Sequence, residues 1–226
     1  LAKGETEISF EISCPTEAND NMIDFYSTRA EGKQAPKLVT RTSKTDKPVD
    51  PEFVELREKW LNNLLGGTLD TGNQAVVTYI TGLDEKAGEY WSSMIKSDDA
   101  SRTNLWSDLD MSYIAGTGAN AKVHSGNVAQ TFYRLKDMAI AWATEGCVLY
   151  QNDELKEELI RALDFMNENH YSSSDDKTPF FGNWWHWEIG GPIAFMDTAL
   201  ILYDDLTLKQ ITNYAAAVNR FTNVCD

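Results

Sequence analysis

The 226-residue sequence is short of most features that identify a metal or cofactor protein. Its three cysteines, Cys14, Cys147 and Cys225, show neither CxxC nor Cys/His spacing, so neither a zinc site nor a disulfide framework is implied. One disulfide plus a free thiol stays open, and small buried hydrophobes are the favoured reading. The three histidines, His124, His170 and His186, lie too far apart for a local metal motif. GxSxG, the P-loop and GxGxxG are all missing, so no metal and no organic cofactor is expected. No apolar run approaches the ~18 residues of a membrane span. Positive charge is scarce too: 20 Lys and Arg face 35 Asp and Glu, and the net charge of −15 excludes nucleic acid from the expected ligands. The chain opens Leu-Ala-Lys-Gly, with no initiator Met and no signal-peptide core, and is expected to be a processed form or a piece of something longer.

What the sequence does contain is apolar periodicity. A chain of this length, 42% hydrophobic, can bury roughly 70% of its unfolded surface without staples. The first 48 residues differ in texture from the rest. Glu7 to Ser13 alternates polar and apolar residues like a half-buried strand, and Pro15 closes it. Lys33 to Pro48 then reads as an exposed basic connector, so 1–48 is expected to be a linker or the tail of a preceding β-domain. This stretch holds 7 bases and 8 acids, which leaves about −14 to the remainder.

From residue 49 onward the period is helical. Asp50 suits an N-cap and Pro51 the first helical position. Phe53, Leu56, Trp60, Leu61, Leu64 and Leu65 follow at three- and four-residue spacings, and Gly66-Gly67 ends the run. Further helices are expected over 84–96, 127–145, 153–169, 192–203 and from Thr207 to Phe221. Successive helices without βαβ alternation give an all-α domain of helical hairpins over 49–226, as a bundle, solenoid or toroid.

Chemistry concentrates between the last helices, in Phe180-Phe181-Gly182-Asn183-Trp184-Trp185-His186-Trp187-Glu188-Ile189-Gly190-Gly191-Pro192. Three of the seven tryptophans fall within four residues, while the glycines and Pro192 argue against a long regular helix. Neighbouring tryptophans cannot all point into one core, so at least one ring should lie on a concave surface. Flat aromatic faces stack on the C–H faces of sugars, and Asn183, His186 and Glu188 can hydrogen-bond their edges. Trp184 and Trp185 are the expected sugar contacts. Trp187 and Ile189 are expected in the core, and Glu188 as a brace for neighbouring groups.

Asn183-Trp184-Trp185-His186-Trp187-Glu188-Ile189-Gly190-Gly191-Pro192 closely resembles the N-W-W-x-x-E-I-G-x-P signature of polysaccharide lyase family 8, which includes hyaluronate, chondroitin AC and xanthan lyases. Flanking matches are Leu64-Leu65-Gly66-Gly67, Ser125-Gly126-Asn127, the run Arg134 to Ala139, and Asp197-Thr198 with Leu200 to Leu202. The resemblance covers about 51–226. It implies the N-terminal portion of an incomplete (α/α) toroid, in a secreted, cell-surface or periplasmic enzyme. The family's chemistry is β-elimination at a uronic acid. An Asn amide neutralises the uronate carboxylate, a base removes the C5 proton, and a Tyr/His pair handles the proton and the leaving O4.

By this resemblance Asn183, Trp184 and Trp185 match the substrate-contacting Asn and aromatic patch, with His186 beside them. Arg134 lies one residue from a substrate-binding Arg of some members. Trp187, Glu188, Gly190 and Pro192 match as architecture. The family's catalytic Asn, His and Tyr follow well after the signature, and only 34 residues follow Pro192, so no catalytic residue is expected in this chain. The expected partners are a uronate-containing polysaccharide and the remainder of the polypeptide, or a second chain, that completes the toroid. A non-catalytic carbohydrate-binding domain is the alternative. A helical glycoside hydrolase would need two carboxylates ~5–9 Å apart, and Glu188 has no evident mate.

Overall fold

Six α-helices and one π-helical turn make up the secondary structure that a computed structural model describes for residues 47, 50–97, 101–174 and 178–222. There is no strand among the described residues. The strand expected over 7–13, the linker that follows it, Cys14 and Cys225 lie outside them. Residues Lys47–Asp226 group into one compact unit, and the description below concerns that unit.

Helix α1 spans Pro51–Leu65, with the Asp50 side chain accepting from the Glu52 N–H at 2.9 Å, Pro51 at the start and Gly66 closing the helix. Helix α2, Gln74–Ser93, begins ten residues before the expected start at 84 and stops before Met94. Thr81, Gly82 and Gly88 lower its intrinsic helix preference, but Ile80 and Ala87 are buried, so packing overrides propensity. The central helix α3, Ala119–Ala143, likewise starts earlier than Asn127. It buries twelve residues and packs against α1, α2, α4 and α5, which makes it the spine of the unit. Helix α4, Asp153–Asn169, is capped by Asn152, and α5 spans Gly191–Ile201. In α6, Leu208–Thr222, Thr207 and Gln210 cap reciprocally: the Gln210 N–H donates to Thr207 Oγ1 and the Thr207 N–H to Gln210 Oε1.

The α1 stripe differs from its sequence reading. Phe53, Leu56 and Trp60 lie on an exposed face, 67%, 58% and 49% accessible, and α1 has no buried residue. Its inward side is Val54, Arg57, Leu61 and Leu64, a parallel row offset by one residue, with Arg57 over the Tyr203 ring at 4.1 Å. Of the outer row, Trp60 donates from Nε1 to Asp197 Oδ1 at 2.9 Å, while Phe53 and Leu56 stay exposed.

The core beneath the tryptophan segment is aromatic. Trp187 stacks on Phe221 with centroids 5.2 Å apart, Phe221 on Tyr171 at 4.4 Å, and Phe132 meets Phe195 and Tyr171 at 4.9 and 5.5 Å. The Tyr171 hydroxyl donates to the Trp187 carbonyl at 2.8 Å, and Trp187 Nε1 donates to the Phe181 carbonyl at 2.6 Å. Arg220 ties α6 to the chain between α4 and the tryptophan segment through the Ser172 and Thr178 carbonyls at 2.6 and 2.8 Å. Cys147 is a free, buried thiol, raised to about 11 by desolvation and the charge of Asp84. No group of three or more metal-ligating side chains occurs among the described residues, nor does any helix long and apolar enough to cross a membrane.

Candidate functional site

The tryptophan segment is helical, contrary to the irregular backbone that its glycines suggest. Residues 184–201 form one continuous helical run, whose stretch His186–Gly190 is a π-turn. The Gly191 N–H there donates to the His186 carbonyl, five residues back. The extra residue per turn is a device often found at functional sites. Asn183 starts the run: its Oδ1 accepts from the Trp185 N–H at 3.2 Å and its carbonyl from the His186 N–H at 3.1 Å.

The segment is clamped to α3 by one buried hydroxyl. Ser125 Oγ accepts from the Asn183 backbone N–H at 3.1 Å, lies 3.0 Å from His186 Nδ1, and donates to the Lys122 carbonyl at 3.1 Å. Gly182, at φ 73°, fits against this point because a Cβ there would run into Ser125 and the Ala121 carbonyl. Its N–H donates to the Gly116 carbonyl at 2.8 Å.

This geometry fixes the polar chemistry. A hydroxyl has one proton, and directing it to the Lys122 carbonyl satisfies all three contacts when His186 Nδ1 carries the ring proton. Nε2 is then a lone-pair acceptor, and desolvation lowers the pKa of this imidazole. Asn183 behaves in the opposite sense. Its Oδ1 is engaged in capping, and its amide N–H₂ makes no hydrogen bond with the described residues, which leaves two donors for a ligand. A donor and an acceptor therefore stand beside the aromatic platform.

Trp184 and Trp185 are 54% and 41% exposed, whereas Trp187 is 1% exposed. Helical rotation of ~100° per residue explains the split. It also explains Ile189, which was expected in the core but is exposed, because two residues beyond Trp187 the helix faces the other way. The Trp185 ring lies over Gly190, where a Cβ would overlap both that ring and the Tyr133 hydroxyl. Trp185 meets His186 edge-on, with centroids 5.9 Å apart, and the imidazole rests on Gly126. Pro192 is buried in the first turn of α5.

Two sequence assignments find other surroundings. Arg134 is engaged by Asp108, with two N···O contacts of 2.9 and 2.5 Å, and lies over the rings of Tyr90 and Trp106. That hydrogen-bonded pairing holds the Asp108 carboxyl below its ordinary range. The guanidinium thus fastens the 101–118 loop to α3. Glu188 is half-buried and makes no hydrogen bond with a described residue, so the bracing partner expected for it is not among them. Sequence reading also passed over Tyr133 and the exposed Tyr113, whose ring meets Phe181 edge-on at 5.2 Å. Each is a single aromatic in an ordinary helix or loop pattern, without a motif to mark it.

Adjacent exposed tryptophans on a π-turn, clamped to a long central helix, agree with what the sequence comparisons return. The polysaccharide lyase family 8 N-terminal alpha-helical domain matches residues 60–224. The chain belongs to this family. It is similar to the xanthan lyase of Bacillus sp. (strain GL1), 36% identical over 76% of this chain and 17% of the relative. It is also similar to the hyaluronate lyase HylB of Enterococcus faecalis, 32% identical over 75% of this chain and 15% of the relative. Among solved structures, a Paenibacillus xanthan lyase superposes with a TM-score of 0.66 at 35% identity, covering 77% of this chain and 15% of that one. A Streptomyces coelicolor chondroitin AC lyase in complex with chondroitin sulphate gives 0.62 at 26% identity, covering 76% and 21%. The chain thus spans between 15% and 21% of the length of these family 8 proteins. Its all-α architecture is the family's N-terminal part of an (α/α) toroid.

Proposed function

We propose that this chain is the substrate-seating portion of a polysaccharide lyase that cleaves a uronate-containing polymer of the hyaluronan, chondroitin or xanthan class by β-elimination. The observation that carries the reading is the pairing of exposed Trp184 and Trp185 with oriented polar groups of opposite character, the Asn183 amide donors and the His186 Nε2 acceptor. A sugar ring stacks on the indoles, its carboxylate or a hydroxyl oxygen accepts from Asn183, and another hydroxyl donates to His186. The names of the similar proteins, lyases of xanthan and hyaluronate, support the substrate class.

The catalytic Asn, His and Tyr belong to the part of the family polypeptide outside these residues, so the 226-residue chain binds and does not cleave. That remainder, or a second chain, completes the toroid. Action on an extended polymer supports a location outside the cell, at its surface or in the periplasm.

Calorimetric titration with hyaluronan, chondroitin and xanthan oligosaccharides tests the reading. Binding of at least one, and its loss in Trp184→Ala and Trp185→Ala, is expected. Unchanged affinity in both variants sinks it. Rising ultraviolet absorbance from unsaturated uronate with this chain alone would show that the catalytic groups are misplaced.

A further inference from the structure

The geometry points to a longer glycan track than the tryptophan pair: a line of side chains on α3 and α5 that leads from Trp185 past the Tyr133 hydroxyl and Lys136 to a second aromatic platform at Trp60. This inference rests on the glycan-seating reading and adds a subsite to it. Tyr133 and Lys136 are three residues apart on α3, and Gly190 and Asp197 seven apart along the helical run of α5, so each pair shares one helix face. The two faces adjoin. The Tyr133 hydroxyl stands beside Gly190 under the Trp185 ring, Lys136 Nζ lies 5.9 Å from the Tyr133 ring centre, and the same Nζ is 3.6 Å from Asp197 Oδ2.

Trp60 closes the line. Its Nε1 donates to Asp197 Oδ1 at 2.9 Å, while the ring is 49% exposed. Asp197 is 5% exposed, so a buried carboxylate holds the edge of an open indole, as expected of a ring kept in one orientation. The Tyr133 hydroxyl makes no hydrogen bond with a described residue, and burial raises its pKa, so it stays protonated as donor and acceptor. Seven residues of helix separate Gly190, beneath the first platform, from Asp197, which holds the second, by about 10 Å. That span exceeds one sugar ring and suits an oligosaccharide laid along the line. Lys136 is balanced by Asp197, so the track reads ring faces and hydroxyls more than net charge.

The test uses chain length as its readout. Disaccharide and hexasaccharide of the bound polymer are titrated into the chain and into Trp60→Gln and Tyr133→Phe. The Gln variant keeps an N–H donor for Asp197, and the Phe variant keeps the ring packing. Trp60→Gln should weaken hexasaccharide binding about five- to tenfold and leave the disaccharide unchanged, and Tyr133→Phe, at the junction beside Trp185, should weaken the hexasaccharide more than the disaccharide. Equal effects on both lengths, or none on either, overturn the track. So does a lower melting temperature with unchanged binding, the signature of a Trp60 face that the rest of the polypeptide covers. Failure of the unmutated chain to bind either length removes the glycan-seating reading itself, and the track with it.

Discussion

Ser125 shows how much one side chain can decide. It is fully buried, and its hydroxyl sets the backbone position of Asn183 and the tautomer of His186 together. His170 is the second imidazole whose pKa is lowered by desolvation; its Nε2 lies 3.1 Å from the Thr103 carbonyl. Both folded values fall below the ordinary 6.5. As pH drops through 6.5 the unfolded chain therefore takes up protons first. Stability present above that pH is lost as pH falls through the two folded values. Melting temperatures recorded from about pH 7.5 down to about pH 5 should decline, and His170→Asn should flatten the decline. NMR titration should find His186 with the proton on Nδ1 at the upper end of the range. An Nε2–H tautomer there would contradict the Ser125 geometry.

At the scale of elements, α1 is the instructive case. Its bounds were legible from Asp50, Pro51 and Gly66, as were those of α4 and, from Thr207, of α6, because capping is local chemistry written in a few residues. Which row of α1 faces inward was not legible, since Phe53/Leu56/Trp60 and Val54/Leu61/Leu64 are both apolar at helical spacing. Likewise the early starts of α2 and α3 were hidden by mid-helix glycines, whose cost is met by burial elsewhere. At the candidate site, the exposure of Trp184 and Trp185 was legible from three tryptophans crowded within four residues. Tyr133 was not, because only the absence of a Cβ at Gly190 brings its hydroxyl under Trp185. The open row of α1 carries its own expectation. Phe53→Ser with Leu56→Gln should change the melting temperature little, because both side chains are exposed, while light scattering should report less self-association.

For the molecule as a whole, the charge of −15 conflicts with an anionic polymer as partner. In the proposed site recognition falls on indole faces and on Asn183 and His186, none of which is a fixed charge at neutral pH. A binder built on basic patches loses affinity as salt rises. Here added salt screens repulsion between two anions, so affinity for a uronate oligosaccharide should hold or rise between low and physiological ionic strength. Calorimetry across that range checks it, and a steep fall would indicate a cationic surface doing the binding.

The π-turn acts as a phase shifter between two parts that must face different ways. Downstream of it α5 is locked into the core by Ala194, Phe195 and Thr198; upstream, the tryptophan pair looks outward. One residue more or fewer in the intervening turn rotates one part against the other by ~100°. The platform's direction is therefore held in the count of residues between Trp185 and Gly191 as much as in their identity. A single-residue deletion there would restore an ordinary helix and aim the indoles elsewhere, with every side chain of the platform still present.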